Sequence, residues 1–346
     1  MERRENVTTQ ELEIPTEGFE KLPENVVTDV IVTSAFKNSN DPRIKYWTNP
    51  RTIIPSLFFG TVQDGPIQRI QTPTGFRTAI VEMPYLYNEE PIQDEYGTSY
   101  GMIDAKGVGV SSFCKDVFNL QISLEPVGLF GLIDALHDRE ISEAFARVYG
   151  RTARILAMVV LDHQKLHEWF TTLTYFEPLT SNLRKVEGNN DQAVIAIRLL
   201  GADRIQDYSF SNPDKNHFFH SAQMLKRAAG ILHHEVKSRG ETHFRQRYAI
   251  KQSTNLGNLE RILAGDINDE TIFVHSKLIE ELSCWNISRK NYTTNRLGYD
   301  IKPDIREHNF DAAGFWYDWE CSYPSYINVS YVRLNTNIPD YFYQQS

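Results

Sequence analysis

A lysine at the start of a glycine-rich run is the first feature of this sequence that could do chemistry. Lys106 follows the apolar pair Met102-Ile103 and precedes Gly107-Val108-Gly109. A lysine ammonium is a compact positive charge that suits phosphate groups, and glycines let the backbone approach a ligand closely. Glu140 lies downstream in a segment with helical periodicity. These residue types, in this order, are typical of a site that holds an anion.

The elements that must position this lysine are predicted from the spacing of apolar residues. Apolar residues recur at three- and four-residue steps through residues 132–148, which predicts a helix that Gly150 ends. The β-branched, apolar run 155–161 predicts a strand. Kinase folds hold a nucleotide with such an arrangement, in which a strand lysine grips phosphates and a helix glutamate orients the lysine. Helix glutamates usually face solvent, however, so the pattern alone does not establish a kinase fold.

Four short motifs follow one another along this part of the chain. They are Lys106-Gly107-Val108-Gly109, Arg139-Glu140, Ser142-Glu143-Ala144 and Gly150-Arg151-Thr152. They resemble the selenoprotein O family of kinase-fold adenylyltransferases, which has a lysine-glycine-x-glycine, an arginine-glutamate pair on a helix, a serine-glutamate-alanine and a glycine-x-x-threonine turn. The resemblance implies that Lys106, Gly107 and Gly109 bind ATP and that Glu140 orients Lys106.

Two arginines follow in the second half of the chain. The run 193–200 is a strand candidate that carries Arg198, and Arg204 comes six residues later. In the family that this chain resembles, two arginines near an apolar strand contact the nucleotide phosphates, and guanidinium forks suit phosphate geometry. The resemblance therefore implies that Arg198 and Arg204 bind ATP. Two surface arginines are an equally weighted alternative.

The stretch 285–303 supplies candidate metal ligands. Asn291 and Asp300 are nine residues apart, Gly298 lies between them and Pro303 follows. The selenoprotein O family has an asparagine and an aspartate at this spacing, and hard cations such as magnesium prefer oxygen ligands. The resemblance implies that Asn291 and Asp300 bind Mg²⁺ and that Asp300 is catalytic. We expect these residues in a loop that follows a helix over 269–284.

The chain departs from the family at the candidate general base. Lys290 stands where the family has an aspartate, Asp300 is followed by Ile301-Lys302, and the family's C-terminal cysteine or selenocysteine is absent. A lysine takes a proton only if burial lowers its pKa substantially. Positioning and charge neutralisation carry most of phosphoryl transfer, so a base is not always essential. The departures keep nucleotide binding as the expectation and leave protein adenylylation in question.

A second interpretation, based on the motifs of ordinary protein kinases, assigns the metal to a different aspartate. Asn309-Phe310-Asp311 resembles the Asp-Phe-Gly region of kinases, and the run 299–305 resembles their catalytic loop. In that interpretation Asp300 is the base and Asp311 binds the metal. Ile305 then stands where the asparagine ligand belongs, and eleven residues separate the two aspartates, which is a short loop. We prefer Asn291 and Asp300.

Composition excludes several classes of protein. The chain has 346 residues, a formal net charge of −9 and 41% hydrophobic residues, which is ordinary for a globular protein and argues against nucleic acid as the main partner. No apolar run approaches the length of a membrane span, and the polar N-terminus does not resemble a signal peptide. Three cysteines without a CxxC pair exclude a disulfide scaffold. A reduced, cytoplasmic protein is the expectation.

The predicted architecture is a bilobed, protein-kinase-like α+β fold. We expect a mobile N-terminus over 1–18, a mostly β N-lobe with one major helix over 19–165 and a mainly helical C-lobe over 166–346. An edge strand near 27–32 and strands at 53–59 and 79–81 complete the N-lobe. Helices are predicted over 214–238, 256–264 and 269–284. His217 and His220 flank an apolar stripe, so we interpret them as structural rather than metal-ligating.

These inferences predict an ATP- and Mg²⁺-dependent transferase. Its acceptor would be a protein, a peptide or a small molecule, and the group transferred would be AMP or phosphate. A nucleotide-binding protein that has lost catalysis is the alternative, and Lys290 is the residue that favours it. The sequence carries no signal for the acceptor.

Overall fold

An antiparallel sheet contains the strands predicted on both sides of the helix at 132–148. In the computed structural model, the described residues are 19–60, 87–108, 129–148, 150–172, 192–202, 222–250, 256–297 and 311–316. Their strands are β1 (Phe19–Lys21), β2 (Val27–Val32), β3 (Phe58–Gly60), β4 (Tyr87–Gln93), β5 (Ser99–Lys106), β6 (Phe130–Gly131), β7 (Arg154–Leu161) and β8 (Ala193–Leu200).

The main sheet has the strand order β2-β7-β8-β5-β4, and β6 adds to β8. All the pairings are antiparallel, and β1 pairs with β3 in a separate two-stranded sheet. Every residue of β5, β7 and β8 is buried. Because both faces of these strands are covered, β7 and β8 have long apolar runs, at 155–161 and 193–197, instead of the alternation of a half-exposed strand.

Eight α-helices lie within the described residues. They are α1 (Pro42–Trp47), α2 (Pro50–Ile53), α3 (Leu132–Val148), α4 (His163–Thr172), α5 (Ala222–Arg239), α6 (Glu241–Arg247), α7 (Leu256–Leu263) and α8 (Asp269–Leu297). Gly150 follows α3, and its N–H donates to the Phe145 carbonyl at 3.0 Å. A side chain at Gly150 would collide with the Phe145 ring, so glycine is required where the chain leaves α3 for β7.

Helix α3 packs between the sheet and the other helices. Ala135 lies in an apolar cluster with strand residues including Met158 and Ala196. Ile141 and Phe145 lie instead in a cluster built mainly from α5 to α8. Because residues three to four apart share a helix face, α3 presents one stripe to the sheet and a neighbouring stripe to the helical layer.

The structure confirms several elements and corrects others. The helix 132–148, the strands at 155–161 and 193–200 and the edge strand 27–32 are confirmed. The predicted strand 53–59 is wrong, because α2 runs to Ile53, a 3₁₀ turn occupies Ile54–Ser56 and only Phe58 onward is β. Residues 79–81 and 214–221 lie outside the described residues. No helix of the described part of the chain is long and apolar enough to cross a membrane.

Strands from both sides of the predicted division at residue 165 belong to the same main sheet. Strand β8, expected in the second lobe, lies between β7 and β5 of the first. Phe315 also packs in the same apolar cluster as Ile103 and Leu199 of the sheet. The described residues form a mixed α+β structure with an antiparallel sheet, in which the second half of the chain supplies a central strand.

Candidate functional site

Lys106 is the last residue of β5, and its side chain is buried beside an aromatic ring. It pairs across the sheet with Ala196 of β8 and is 3% exposed. Its Nζ atom lies 4.3 Å from the centroid of the Phe130 ring, a geometry in which the ring face attracts the cation. The prediction that this lysine lies on a strand is therefore confirmed, and its side chain lies inside the fold.

Gly107 turns the chain away immediately after this lysine. Its φ is +96°, in the region that glycine enters without steric cost. A Cβ atom at this position would lie 2.5 Å from the Val194 carbonyl oxygen and 3.0 Å from Cβ of Phe130. Glycine is thus required both for the backbone conformation and for the close approach to β8. Gly109, the second predicted glycine of the site, lies outside the described residues.

Arg198 lies opposite Asp104 on the neighbouring strand β5. Its Nε donates to Asp104 Oδ1 at 3.0 Å and its Nη2 donates to Oδ2 at 2.9 Å. Both side chains are buried, so this is a two-pronged, charge-assisted pair in the interior. The alternative of a surface arginine is wrong for Arg198. Arg204 lies outside the described residues.

The acids of α3 have separate partners. Glu140 accepts hydrogen bonds from Arg139, from Nε at 3.1 Å and from Nη2 at 2.7 Å. The structure therefore pairs Glu140 with its neighbour, whereas the resemblance implies that Glu140 orients Lys106. Asp138 lies in the same helix and is buried, with 3% exposure.

Arg154, at the start of β7, donates hydrogen bonds to three carboxylates. It binds Glu143 through Nε at 2.9 Å and Nη2 at 2.6 Å, Glu95 through Nη1 and Nη2, and Asp94 through Nη1 at 3.0 Å. Burial raises the pKa of Asp94, although the Arg154 guanidinium opposes this. Tyr100 donates to the same carboxylate at 3.1 Å. This network joins α3 to the sheet, which gives the serine-glutamate-alanine motif a structural role.

Arg151 holds the segment 311–316 against the helical layer. Its Nη1 pairs with Glu235 and its Nε donates to the Ala313 carbonyl at 2.9 Å. The Arg151 carbonyl accepts from the Trp316 N–H at 2.9 Å. The Gly150-Arg151-Thr152 motif therefore docks a distant part of the chain.

The carboxylate of Asp311 accepts hydrogen bonds from three backbone N–H groups. Its Oδ1 accepts from the N–H groups of Ala313 at 2.8 Å and Phe315 at 3.0 Å, and its Oδ2 accepts from the N–H of Ala202 at 2.7 Å. The side chain is fully buried. These bonds stabilise the turn after Asp311 and fix it to the end of β8, which favours a structural role over metal binding.

The predicted metal loop is helical up to Leu297. Helix α8 does not end at Cys284 but includes Lys290 and Asn291, and Asp300 lies outside the described residues. Asn286 explains part of the extension, because its buried Nδ2 donates to the carbonyls of Arg151 and Gly314 at 3.1 and 2.9 Å. Among the described residues, no group of three or more histidine, cysteine, aspartate or glutamate side chains could hold a metal ion.

The sequence analysis does not predict the ion pair between Asp104 and Arg198, although the two charges lie in buried strands. Asp104 and Lys106 are two residues apart in a strand, which places them on one face. Arg198 is the one charged residue of the strand 193–200, and the strand 99–106 supplies the acid Asp104. Opposite charges in two buried strands indicate a cross-strand ion pair.

Comparisons of the chain with protein-family models, with curated proteins and with solved structures found no match.

Proposed function

We propose that this protein binds ATP with Mg²⁺ and transfers AMP or a phosphoryl group to an acceptor. The observation that carries the proposal is the placement of Lys106, at the end of a central strand, directly before a glycine with positive φ. Helix α3, which bears acidic residues, packs on the same sheet. A strand lysine next to an acid-bearing helix is the arrangement with which kinase folds hold phosphates.

The chain supplies positive charge for the triphosphate. Lys106 would contact phosphate oxygens as a point charge, and the backbone at Gly107 and Gly109 would approach the phosphates closely. Arg198 and Arg204 would neutralise phosphate charge. Because Arg198 is already bound to Asp104, it would act on the nucleotide by sharing its guanidinium or by releasing that carboxylate.

The proposed metal ligands have the chemistry that magnesium requires. Asn291 and Asp300 offer a carboxamide and a carboxylate oxygen, and Mg²⁺ is commonly bound by one or two protein ligands together with substrate phosphates. A Mg²⁺ ion held by these residues would supply positive charge that neutralises the phosphates. Asn291 lies in α8 and precedes the segment that contains Asp300.

Two transfer reactions are compatible with this set of residues. An acceptor oxygen that attacks the α-phosphorus forms an acceptor–AMP ester and releases pyrophosphate, whereas attack on the γ-phosphorus forms a phosphoester and releases ADP. In both cases the acceptor hydroxyl loses a proton. Lys290 replaces the family's candidate base, so that proton would pass to solvent.

A nucleotide-binding protein without transfer activity is the second candidate. Two observations favour it: Lys290 stands at the position of the base, and Arg198 is held in a buried ion pair. Such a protein would bind ATP and release it unchanged.

Mass spectrometry with two ATP labels separates these outcomes. The protein is incubated with Mg²⁺, candidate acceptors and ATP labelled at either the α- or the γ-phosphate. Transfer of the α-label with release of pyrophosphate establishes adenylylation, and transfer of the γ-label with release of ADP establishes phosphorylation. ATP binding without either product establishes the second candidate, and the absence of ATP binding overturns both. Lys106→Met is the control for a contaminating enzyme, because its preparation should lose all transfer.

A further inference from the structure

A buried ion pair joins the neighbouring strands β5 and β8. Asp104 and Arg198 lie directly opposite each other, their side chains are 0% and 1% exposed, and two N–H···O bonds of 3.0 and 2.9 Å connect them. A buried ion pair adds little net stability, because the loss of hydration offsets the attraction between the charges. The role best attested for such polar groups is to specify the register in which two elements align.

Apolar contacts between β5 and β8 distinguish poorly between alternative registers. Every residue of both strands is buried, so no exposed face shows which side chains must point outward. In the observed register Ala105 lies opposite Ile197. A slip of two residues would place Ala105 opposite Ile195 in one direction or opposite Leu199 in the other. Each slip exchanges one apolar pair for another, so these residues do not determine the alignment.

The charged residues distinguish the observed register from its neighbours. Because side chains alternate between the faces of a strand, a slip of one residue would put Asp104 and Arg198 on opposite faces of the sheet. A slip of two residues would keep them on one face but move them to diagonal positions, about 7–8 Å apart. In one direction this slip also places Lys106 opposite Arg198, and like charges in opposite positions are destabilising. The observed register avoids both consequences.

The same register determines the surroundings of Lys106. This lysine comes two residues after Asp104 in β5, so both lie on one face of the sheet. The Lys106 Nζ lies 4.3 Å from the centroid of the Phe130 ring, and Phe130 belongs to β6, where it pairs with Val194 of β8. Because β5 and β6 both pair with β8, the alignment of β5 on β8 decides whether Lys106 meets this ring.

We infer that the Asp104–Arg198 pair fixes the register of β5 on β8 and thereby positions Lys106. Asp104 acts through the alignment of the strand and is a positioning residue, of which no contact with a nucleotide is required. The use of Lys106 to hold ATP rests on the proposed function, whereas the register itself does not.

Engineered disulfides report the register directly, in protein whose native cysteines are replaced by serine. Directly opposite residues have Cα atoms about 4.5–5.5 Å apart, a distance that a disulfide spans, whereas Cα atoms more than about 7 Å apart are not bridged. Ala105→Cys with Ile197→Cys therefore reports the observed register. Ala105→Cys with Ile195→Cys, or with Leu199→Cys, reports the two slipped registers. Each variant is refolded from urea in a glutathione buffer, and mass spectrometry measures the fraction bridged.

Removal of both charges should release the alignment. The apolar-pair variant, Asp104→Leu/Arg198→Met, is expected to fold, because apolar residues often replace a buried ion pair without loss of stability. With the native pair, the bridge at 105–197 should form and the bridges at 105–195 and 105–199 should not. In the apolar-pair variant at least one slipped bridge should rise several-fold. Slipped bridges that stay at the level of the native pair would overturn the inference.

Single substitutions at Asp104 keep the inference testable if the apolar-pair variant does not fold. Asp104→Asn keeps the shape of the side chain and removes its charge, so its slipped bridges should also rise. Asp104→Glu keeps the charge and is the matched control, in which the bridge at 105–197 should continue to dominate. Equal bridging patterns in folded Asp104→Asn and Asp104→Glu would overturn the inference.

Binding of ATP with Mg²⁺ by Asp104→Asn separates positioning from simple electrostatics. This variant retains Arg198, removes a negative charge near the proposed phosphate site and releases the guanidinium from its carboxylate, so electrostatics alone would strengthen binding. Misalignment of Lys106 should instead weaken binding several-fold relative to Asp104→Glu. Binding by folded Asp104→Asn that equals or exceeds that of Asp104→Glu would overturn the positioning role.

The two sets of measurements distinguish the failure of this inference from the failure of the proposed function. If the slipped bridges rise as expected and the wild-type protein does not bind ATP, the register role stands and the proposed function fails. If the wild-type protein binds ATP and the slipped bridges do not rise, the inference fails alone.

Discussion

At the scale of single residues, Asp311 shows how one carboxylate can determine a turn. Its two oxygens accept three backbone hydrogen bonds, two within the turn and one from Ala202 at the end of β8. A buried N–H that loses its acceptor costs about 1–3 kcal/mol. Residues distant in the sequence therefore depend on this side chain for their local structure.

Asp311→Ala should lower the free energy of unfolding by about 3 kcal/mol or more, because it leaves three buried donors without acceptors. Glu270→Ala is the matched control, since Glu270 is an exposed acid in a surface ion pair, and we expect a change below about 1 kcal/mol. Urea unfolding measures both. A well-folded Asp311→Ala protein that has lost only its Mg²⁺ dependence would contradict this account and support the ordinary-kinase interpretation.

His275 gives the molecule a predictable sensitivity to acid. It is fully buried in α8, and its Nε2–H donates to the Ala312 carbonyl at 3.0 Å. Burial lowers its pKa from 6.5 to about 4, because a charged imidazolium would lose its hydration.

Stability should therefore fall as the pH falls through the window from 6.5 to 4. Within that window the unfolded chain binds a proton at His275 that the folded chain does not bind, so the equilibrium shifts toward the unfolded state. The full loss attributable to this residue is about 3 kcal/mol. Urea unfolding at a series of pH values tests this. His275→Gln should flatten the dependence between pH 6.5 and 4, and an unchanged slope would show that other groups cause it.

At the scale of elements, the end of β5 determines where the Lys106 side chain lies. Gly107 and Gly240 both have positive φ, but their surroundings differ. A Cβ atom at Gly107 would lie 2.5 Å from the Val194 carbonyl, whereas a Cβ atom at Gly240 would have nothing within 4 Å. The two glycines form a natural pair for separating backbone strain from a steric clash.

Gly107→Ala should destabilise the protein by more than Gly240→Ala. Both variants incur backbone strain of about 1–3 kcal/mol, and only the first also forces β5 away from β8. Chemical unfolding measures the difference, and ATP binding should weaken in Gly107→Ala alone because Lys106 is displaced. Equal stabilities and equal ATP affinities would show that the turn after Lys106 has no special role.

The elements that the sequence predicts well are those whose apolar pattern is unbroken. Strands β7 and β8 and helix α3 have continuous apolar runs or a regular helical stripe, and these patterns follow directly from burial. The prediction that α8 ends at Cys284 is wrong, because the residues after it were interpreted as a metal-binding loop although they continue the helix. Trp285 and Asn286 are buried there, through contacts with residues far away in the sequence that local periodicity does not reveal.

Within the candidate site, residue types were more predictable than partners. Lys106 was identified by its glycines, and Arg198 by its strand. The partner of Arg198, Asp104, is determined by the strand register, which no motif specifies. Glu140 follows the motif and yet pairs with Arg139.

At the scale of the whole molecule, the sheet connects the two halves of the chain. Strand β8 lies between β5 and β7, and the segment 311–316 is fixed to both Arg151 and the end of β8. A substitution in either half of the chain can therefore disturb the core that both halves share. This coupling makes fold integrity a necessary control in every binding experiment.

Binding of ATP with Mg²⁺, measured by calorimetry and by thermal unfolding, tests the central claim most directly. The account predicts that wild-type protein binds and is stabilised, by about 2.7 kcal/mol at a hundredfold excess over the dissociation constant. Lys106→Met should remain folded and lose this stabilisation, whereas Lys277→Met, at an exposed lysine of α8, should keep it. Absence of binding by the wild-type protein, or full stabilisation of a folded Lys106→Met variant, would contradict the account.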